Sequence, residues 1–206
     1  MRKEEFGEAI NWDYIIISVT MVAIFTILAL YMPKLAEFDR KILHSIISFL
    51  SPYPAYVPAF FTDFGRAFYM FWPQLVGVSV LASHRQYAKA FLLVLFTQGA
   101  YFLSNMISNY VGRTAPNGEW AGFCFPSLQV ATTVTLYGIM IFLLMKYAFR
   151  GFVRYFSITV LGLFIFMNAI SCMWLNYNYL TDVLAGAFLG FLFVNLYVII
   201  TRRIEK

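Results

Sequence analysis

Long apolar stretches, separated by short polar connections, dominate this chain from residue 14 to residue 200. A helix needs about 20 mostly apolar residues to cross a bilayer, and six stretches approach that length. In chain order, the predicted spans are Tyr14 to Met32, Arg66 to Ala82, Lys89 to Tyr110, Ser127 to Met145, Arg154 to Trp174 and Leu180 to Ile200. The pattern therefore predicts an all-α integral membrane bundle of six transmembrane helices, with residues 1–206 forming a single membrane domain.

The connection between the first two predicted spans, Pro33 to Gly65, carries a periodic pattern of its own. Apolar residues recur there at helical spacing, with polar residues between them. The apolar positions are Phe38, Ile42, Ile46 and Phe49, and the polar positions are Asp39, Arg40, Lys41 and His44. This spacing predicts an amphipathic helix lying in the membrane interface. Such a helix would cap the bundle, and it could also serve as a lid or a lipid entrance.

Composition narrows the class of protein further. Hydrophobic residues make up 61% of the chain and charged residues only 12%, whereas a soluble domain has about 25% charged residues. This leaves no room for a separate soluble domain. The net charge of +5 does not come from a basic stripe interleaved with aromatic residues, so nucleic acid is not expected as a partner.

The basic residues instead indicate how the chain crosses the membrane. Cytoplasmic loops carry an excess of Lys and Arg. With both termini in the cytoplasm, ten of the 15 Lys and Arg residues fall in inside segments and five in outside segments. We therefore expect a multi-pass protein of the bacterial inner membrane, with both termini cytoplasmic and the outer loops in the periplasm.

Three polar segments fall on that outer face. They are Tyr110 to Pro116, Cys124 to Gln129 and Ser171 to Gly186. Because the topology places all three on one side of the membrane, we expect them to converge into one site.

In these segments the chain resembles the type 2 phosphatidic acid phosphatase family. The family pattern reads K-x6-R-P, then P-S-G-H, then S-R-x5-H-x3-D. The matching residues are Arg113 in the first part, Pro126 and Ser127 in the second, and Ser171 and Asp182 in the third. The resemblance implies a six-helix bundle with its site at the outer face and lipid phosphates as substrates.

Four family positions that carry a charge or transfer a proton are substituted. Met106 stands in place of the lysine, Gln129 in place of the first histidine, Cys172 in place of the second arginine and Asn178 in place of the second histidine. In the family, the second histidine attacks phosphorus, the aspartate orients it, and the first histidine protonates the leaving oxygen. An amide is not a basic nucleophile and cannot act as a general acid near neutral pH. The substitutions therefore argue against catalysis by the family mechanism.

The retained residues still suggest anion binding. Arg113, Ser127, Gln129, Asn178 and Asp182 are the predicted substrate-binding residues, since they keep charge or hydrogen-bonding capacity. The sequence thus predicts a catalytically inactive phosphatase-like protein. It would bind membrane lipids with a phosphate headgroup, or act with a membrane protein partner as a subunit or regulator of a lipid or envelope pathway. No cofactor is expected.

Two alternatives stay open at this point. One is an active lipid phosphatase or phosphotransferase with a divergent site, acting on polyprenyl pyrophosphate, lipid A or phosphatidic acid, to which His44 could in principle contribute. The other is a lipid transporter, for which the few polar residues within spans, such as Gln98 and Asn168, are the candidates.

The two cysteines have no zinc spacing, and no metal site is predicted. If the segments converge, however, Cys124 and Cys172 could lie close enough for a disulfide across the pocket.

Overall fold

The structure, a computed structural model, describes residues 2–54, 56–118, 123–147 and 151–205, with side chains from residue 12 onward except that of residue 67. Regular structure in these ranges is helical apart from one bridge that pairs Thr114 with Phe123. The helices are α1 (Arg2–Tyr31), α2 (Ala36–Leu50), α3 (Tyr56–Asp63), α4 (Ala67–Ser83), α5 (Tyr87–Val111), α6 (Leu128–Tyr147), α7 (Phe152–Trp174) and α8 (Leu180–Ile204). The all-α prediction is confirmed.

Five of the described helices are long and apolar enough to cross a membrane, as their apolar runs predicted. They lie in α1, from Trp12 to Tyr31, and in the whole of α5, α6, α7 and α8. The second predicted span corresponds to α4, which has 17 residues and contains Pro73. Since a full crossing takes about 20 residues, the sixth span stays a prediction.

The connection after α1 folds into two short helices that lie against the bundle. Helix α2 packs on α7 and α8, and α3 packs on α7. Helix α2 buries Asp39 and Leu43, whereas Phe38 and Phe49 are 52% and 76% exposed. The predicted amphipathic helix is therefore present as a helix, but a carboxylate lies on its packed side and two aromatic residues lie on its open side.

Helix α6 is the centre of the bundle, since it packs against α5, α7 and α8. Glycines on α8 allow an unusually close approach to α6. A Cβ atom at Gly186 would lie 2.5 Å from the carbonyl oxygen of Ser127, and one at Gly190 would lie 2.7 Å from that of Ala131. Small residues let helix backbones approach closely in membrane proteins. This contact brings the start of α6 against the start of α8.

At the opposite end of the bundle, α5 and α6 are tied to the residue that follows α8. Lys89, Lys146 and Tyr147 all hydrogen-bond to the Glu205 carboxylate. Burial by itself would raise the pKa of Glu205, but the bonds from Lys146 and Lys89 outweigh it and lower the pKa to about 2. We call this group the Glu205 clamp.

Candidate functional site

The three polar segments of the sequence meet at the end of the bundle where α5 and α7 finish and α6 and α8 begin. Gly112, with φ at 67°, ends α5 in the left-handed conformation, which favours glycine at this position. The backbone N–H of Ser127 donates to the carbonyl of Asp182 at 2.9 Å. The Arg113 guanidinium reaches the same helix start, so all three segments contribute to one buried polar cluster.

Arg113 lies at the centre of this cluster. Its Nη1 donates to Asp182 Oδ1 at 2.5 Å and to Thr181 Oγ1 at 2.7 Å. Its Nη2 donates to Asp39 Oδ2 at 2.7 Å, and the guanidinium carbon lies 4.2 Å from the centroid of the Tyr179 ring. The Arg113 side chain is 11% exposed and both carboxylate side chains are 0% exposed.

Two carboxylates thus face one guanidinium, which gives this group a net charge of −1. Burial by itself would lower the pKa of Arg113, but the charges of Asp182 and Asp39 outweigh it and raise the pKa above its ordinary value. The cation that the sequence offered for phosphate binding is therefore already held by internal anions.

Asp39 is a site residue that the sequence analysis did not select. Its Oδ1 accepts from the Thr181 backbone N–H at 3.1 Å, and its Oδ2 accepts from the Thr181 hydroxyl at 2.6 Å. The sequence could have indicated it by position, because residues 39, 43 and 46 lie on the same side of a helix. A carboxylate in line with Leu43 and Ile46 is costly to bury unless it is paired.

Asp182 carries two structural roles. Besides the bond from Arg113, its Oδ2 accepts from the backbone N–H of Tyr179 at 2.7 Å, which caps the start of α8. An acidic side chain also suits the positive end of the helix dipole.

Asn178, in the position of the family nucleophile, is held by its two neighbours. Its Nδ2 donates to the carbonyl of Cys124 at 2.9 Å, and its Oδ1 accepts from the Ser127 hydroxyl at 3.2 Å. The residue is 7% exposed. Asn178 therefore links the second and third segments, and both ends of its amide are in use.

Gln129 and Cys172, two other substituted positions, contact each other. The Cys172 thiol donates to Gln129 Oε1 at 3.2 Å. The Cys124 thiol instead donates to the carbonyls of Thr114, at 3.3 Å, and Arg113, at 3.4 Å. Both cysteines are free and buried, so the disulfide hypothesis is wrong.

The Cys124 thiol is also a poor nucleophile. Burial, reinforced by the charge of Asp182, raises the pKa of this thiol well above its ordinary value. Since the thiolate is the reactive form, Cys124 is inert in this setting.

Helices α3, α6 and α7 also carry buried polar side chains without a partner among the described residues. Four of them each have such an oxygen, and they are Thr62, Thr133, Asn168 and Ser171. A Cβ atom at Gly65 would lie 2.6 Å from Asn168 Nδ2 and 3.2 Å from Thr133 Oγ1. Buried polar atoms of this kind are commonly satisfied by ordered water.

Some residues singled out in the sequence lie elsewhere. Met106, in the family lysine position, is 68% exposed on the side of α5 opposite the buried Ser104 and Ser108. His44 and His84 are both exposed, and His84 bonds to the Val80 carbonyl at the other end of α4. Among the described residues, no three His, Cys, Asp or Glu side chains are grouped as metal ligands.

A helical membrane bundle that gathers an arginine, a Pro-Ser pair and a helix-capping aspartate at one end belongs to the class of membrane lipid phosphatase folds. The family model of the PAP2 superfamily matches residues 87–206, more than half of the chain. The chain is therefore a member of the PAP2 superfamily, as its resemblance indicated.

A solved structure shares this fold. It is the crystal structure of the first transmembrane PAP2 type phosphatidylglycerolphosphate phosphatase from Bacillus subtilis, with a TM-score of 0.83 and 20% sequence identity. The match covers 92% of this chain and 98% of that one, and at this identity it speaks for the fold alone. No curated protein sequence matches the chain.

Proposed function

We propose that this chain is a catalytically inactive PAP2-type membrane protein. It binds a lipid phosphate at the Arg113 end of the bundle, or acts there as a subunit or regulator of a membrane-lipid or envelope pathway. The observation that carries the proposal is the state of Asn178. The residue at the nucleophile position has no basic nitrogen, and its amide is engaged with Ser127 and Cys124.

The other chemical roles are unfilled as well. Gln129 accepts a bond from Cys172, and a carboxamide cannot protonate a leaving group near neutral pH. The described histidines, His44 and His84, are exposed and have no place in the cluster. Removing a nucleophile that works within a unit costs orders of magnitude in rate, so this combination supports an inactive site.

Phosphate binding is supported by the donors that remain. Arg113 is suited to bidentate recognition of phosphate oxygens. The start of α8 directs backbone N–H groups to the same point, where helix termini favour anions. Ser127, Gln129 and Asn178 are buried beside this point and bonded to internal partners, and their polar groups could bond to a headgroup, without reacting with it, once those contacts are exchanged.

The membrane arrangement is part of the proposal. Helix α4 completes a bundle of six spans in one membrane domain, α2 lies in the interface, and both termini face the cytoplasm. The Arg113 cluster then faces the periplasm of a bacterial inner membrane. The excess of basic residues on the inside segments supports this orientation.

A phosphate-release assay tests the proposal. The purified protein would be incubated with phosphatidic acid, phosphatidylglycerolphosphate, polyprenyl pyrophosphate and lipid A, and binding of each would be followed in parallel by native mass spectrometry. We expect binding of at least one lipid phosphate without release. Turnover lost in Asp182→Asn, but kept in Asp13→Asn, a control at an exposed acidic residue of α1, would establish an active enzyme instead.

A further inference from the structure

The Asp39 carboxylate occupies a complete anion site. Three donors converge on its oxygens, namely the Thr181 backbone N–H at 3.1 Å, the Thr181 hydroxyl at 2.6 Å and Arg113 Nη2 at 2.7 Å. Asp39 is 0% exposed. It comes from α2, which lies outside the matched family region of residues 87–206.

These donors are the groups that recognise a phosphate. A guanidinium, a hydroxyl and an N–H at a helix start form charge-assisted bonds to phosphate oxygens as readily as to a carboxylate. We propose that Asp39 is a built-in occupant of this anion site, and that a phosphomonoester binds only when it displaces Asp39 and α2 lifts from the bundle. The inference rests on the proposed lipid-phosphate binding and adds its regulation.

The charge balance requires displacement rather than addition. Arg113 already faces Asp39 and Asp182, which leaves the group at a net charge of −1. A phosphate dianion placed beside both carboxylates would meet like charges in a buried setting, where repulsion is only weakly screened. Once Asp39 leaves, Arg113 and Asp182 form a neutral pair, and a dianion can take the vacated donors.

Helix α2 is attached in a way that permits this movement. Its main contacts are with α7 and α8; Leu43 is its one buried apolar side chain among the described residues, and Ile46 and Ile47 pack there while partly buried. Phe38 and Phe49 already face outward, where they can stay in contact with lipid as the helix lifts. The Asp39 bonds are thus the main polar attachment of α2 within the described residues.

The test compares Asp39→Asn with Glu37→Gln, an exposed acidic residue on the same helix. Both variants lose one negative charge, but only the first leaves a neutral and therefore more easily displaced occupant in the anion site. Nanodiscs containing phosphatidic acid, nanodiscs containing diacylglycerol, and inorganic phosphate serve as probes. We expect Asp39→Asn to bind phosphatidic acid roughly tenfold more tightly than the parent, with diacylglycerol and Glu37→Gln unchanged. An equal gain for inorganic phosphate would support the site with free phosphate as its ligand.

Two outcomes separate this inference from the proposed function. If the parent binds phosphatidic acid and Asp39→Asn binds it no better, while Arg113→Gln in the Asp39→Asn background abolishes binding, the displacement idea is overturned and the lipid site stands. If neither protein binds any phosphate probe, both ideas fail. Hydrogen exchange on the parent needs no variant: phosphatidic acid should speed exchange across residues 36–50, and unchanged or slower exchange would contradict the lifting of α2.

Discussion

The substitution Arg113→Gln should lower the free energy of unfolding far more than a substitution of an exposed residue does. The variant leaves Asp39 and Asp182 buried without their cation. In the parent, Arg113 donates to Asp182 at 2.5 Å, to Asp39 at 2.7 Å and to the Thr181 hydroxyl at 2.7 Å, and its side chain is only 11% exposed. Removing one partner of such a buried pair typically costs about 3–5 kcal/mol, and little of this is lost to solvent screening at that exposure.

The measurement is the free energy of unfolding in mixed micelles with a rising fraction of SDS, followed by tryptophan fluorescence. Arg40→Gln is the matched control, because Arg40 is an exposed cation on α2 and surface substitutions usually change stability by less than about 0.5 kcal/mol. The double variant Arg113→Gln/Asp39→Asn removes one of the unpaired charges, so it should recover at least about 1 kcal/mol of the loss.

Two results would refute this reasoning. A loss of less than about 1 kcal/mol in Arg113→Gln would show that the carboxylates do not depend on the guanidinium, since net hydrogen bonds to charged groups are alone worth about 1.5–3 kcal/mol. An additive double variant would show that Asp39 and Arg113 are not coupled in the folded protein.

Three further predictions follow from other parts of the bundle. Gly186→Ala places a Cβ atom 2.5 Å from the backbone oxygen of Ser127, just before α6, and should lower the free energy of unfolding by about 1–3 kcal/mol in the same assay. Gly162→Ala is the control, because a Cβ atom there meets nothing within 4 Å. Equal stability of the two variants would contradict the close contact. The pKa of Glu205 in the folded protein is about 2, against an ordinary 4.5, so its stabilising effect is fully present above pH 4.5 and is lost as the pH falls towards 2. In Glu205→Gln, the unfolding midpoint should therefore depend less on pH over that range than in the parent. Maleimide at pH 7.5 should label neither Cys124 nor Cys172 until the protein is unfolded, as counted by intact-mass spectrometry.

The helices were predictable because their signal is local. The length of each apolar run gives the length of the helix in α5 to α8. Because successive spans alternate in direction, the ends of α5 and α7 lie on the same side as the starts of α6 and α8. Arg113, Ser127 and Asp182 could therefore be grouped from the sequence. Their match to the spacing of the family pattern supported placing them in one site.

The partners within the site were not predictable in the same way. Asp39 meets Arg113 across 74 positions, and this pairing depends on which side of α2 packs against the bundle. The sequence pattern placed Phe38 and Phe49 on one apolar face, and both are exposed, but it did not indicate that Asp39 lies on the packed side. Likewise, Cys172 bonds to Gln129 rather than to Cys124, since helix rotation rather than sequence distance decides which side chains meet.

The four substituted family positions do not carry equal weight. Gln129, Cys172 and Asn178 are buried and make hydrogen bonds inside the bundle, so each loss of a charged or basic group is matched by a neutral contact. Met106 is exposed on the opposite side of α5, and a lysine there would need a different orientation to reach the cluster.

The substitutions also change the sign of the net charge at the site. The family pattern sets one lysine and two arginines around one aspartate, an arrangement that attracts phosphate. Here Arg113 is the cation that faces Asp39 and Asp182 among the described residues, and the resulting net negative charge disfavours a further anion. The proposed loss of chemistry and the proposed closure by α2 are thus linked, because a site with a single cation can be occupied from within by one additional carboxylate. Restoring the cation alone, as in Cys172→Arg, should therefore loosen the Asp39 contact and raise phosphatidic acid binding without producing phosphate release. Phosphate release from that variant would contradict the proposal that Asn178 prevents catalysis.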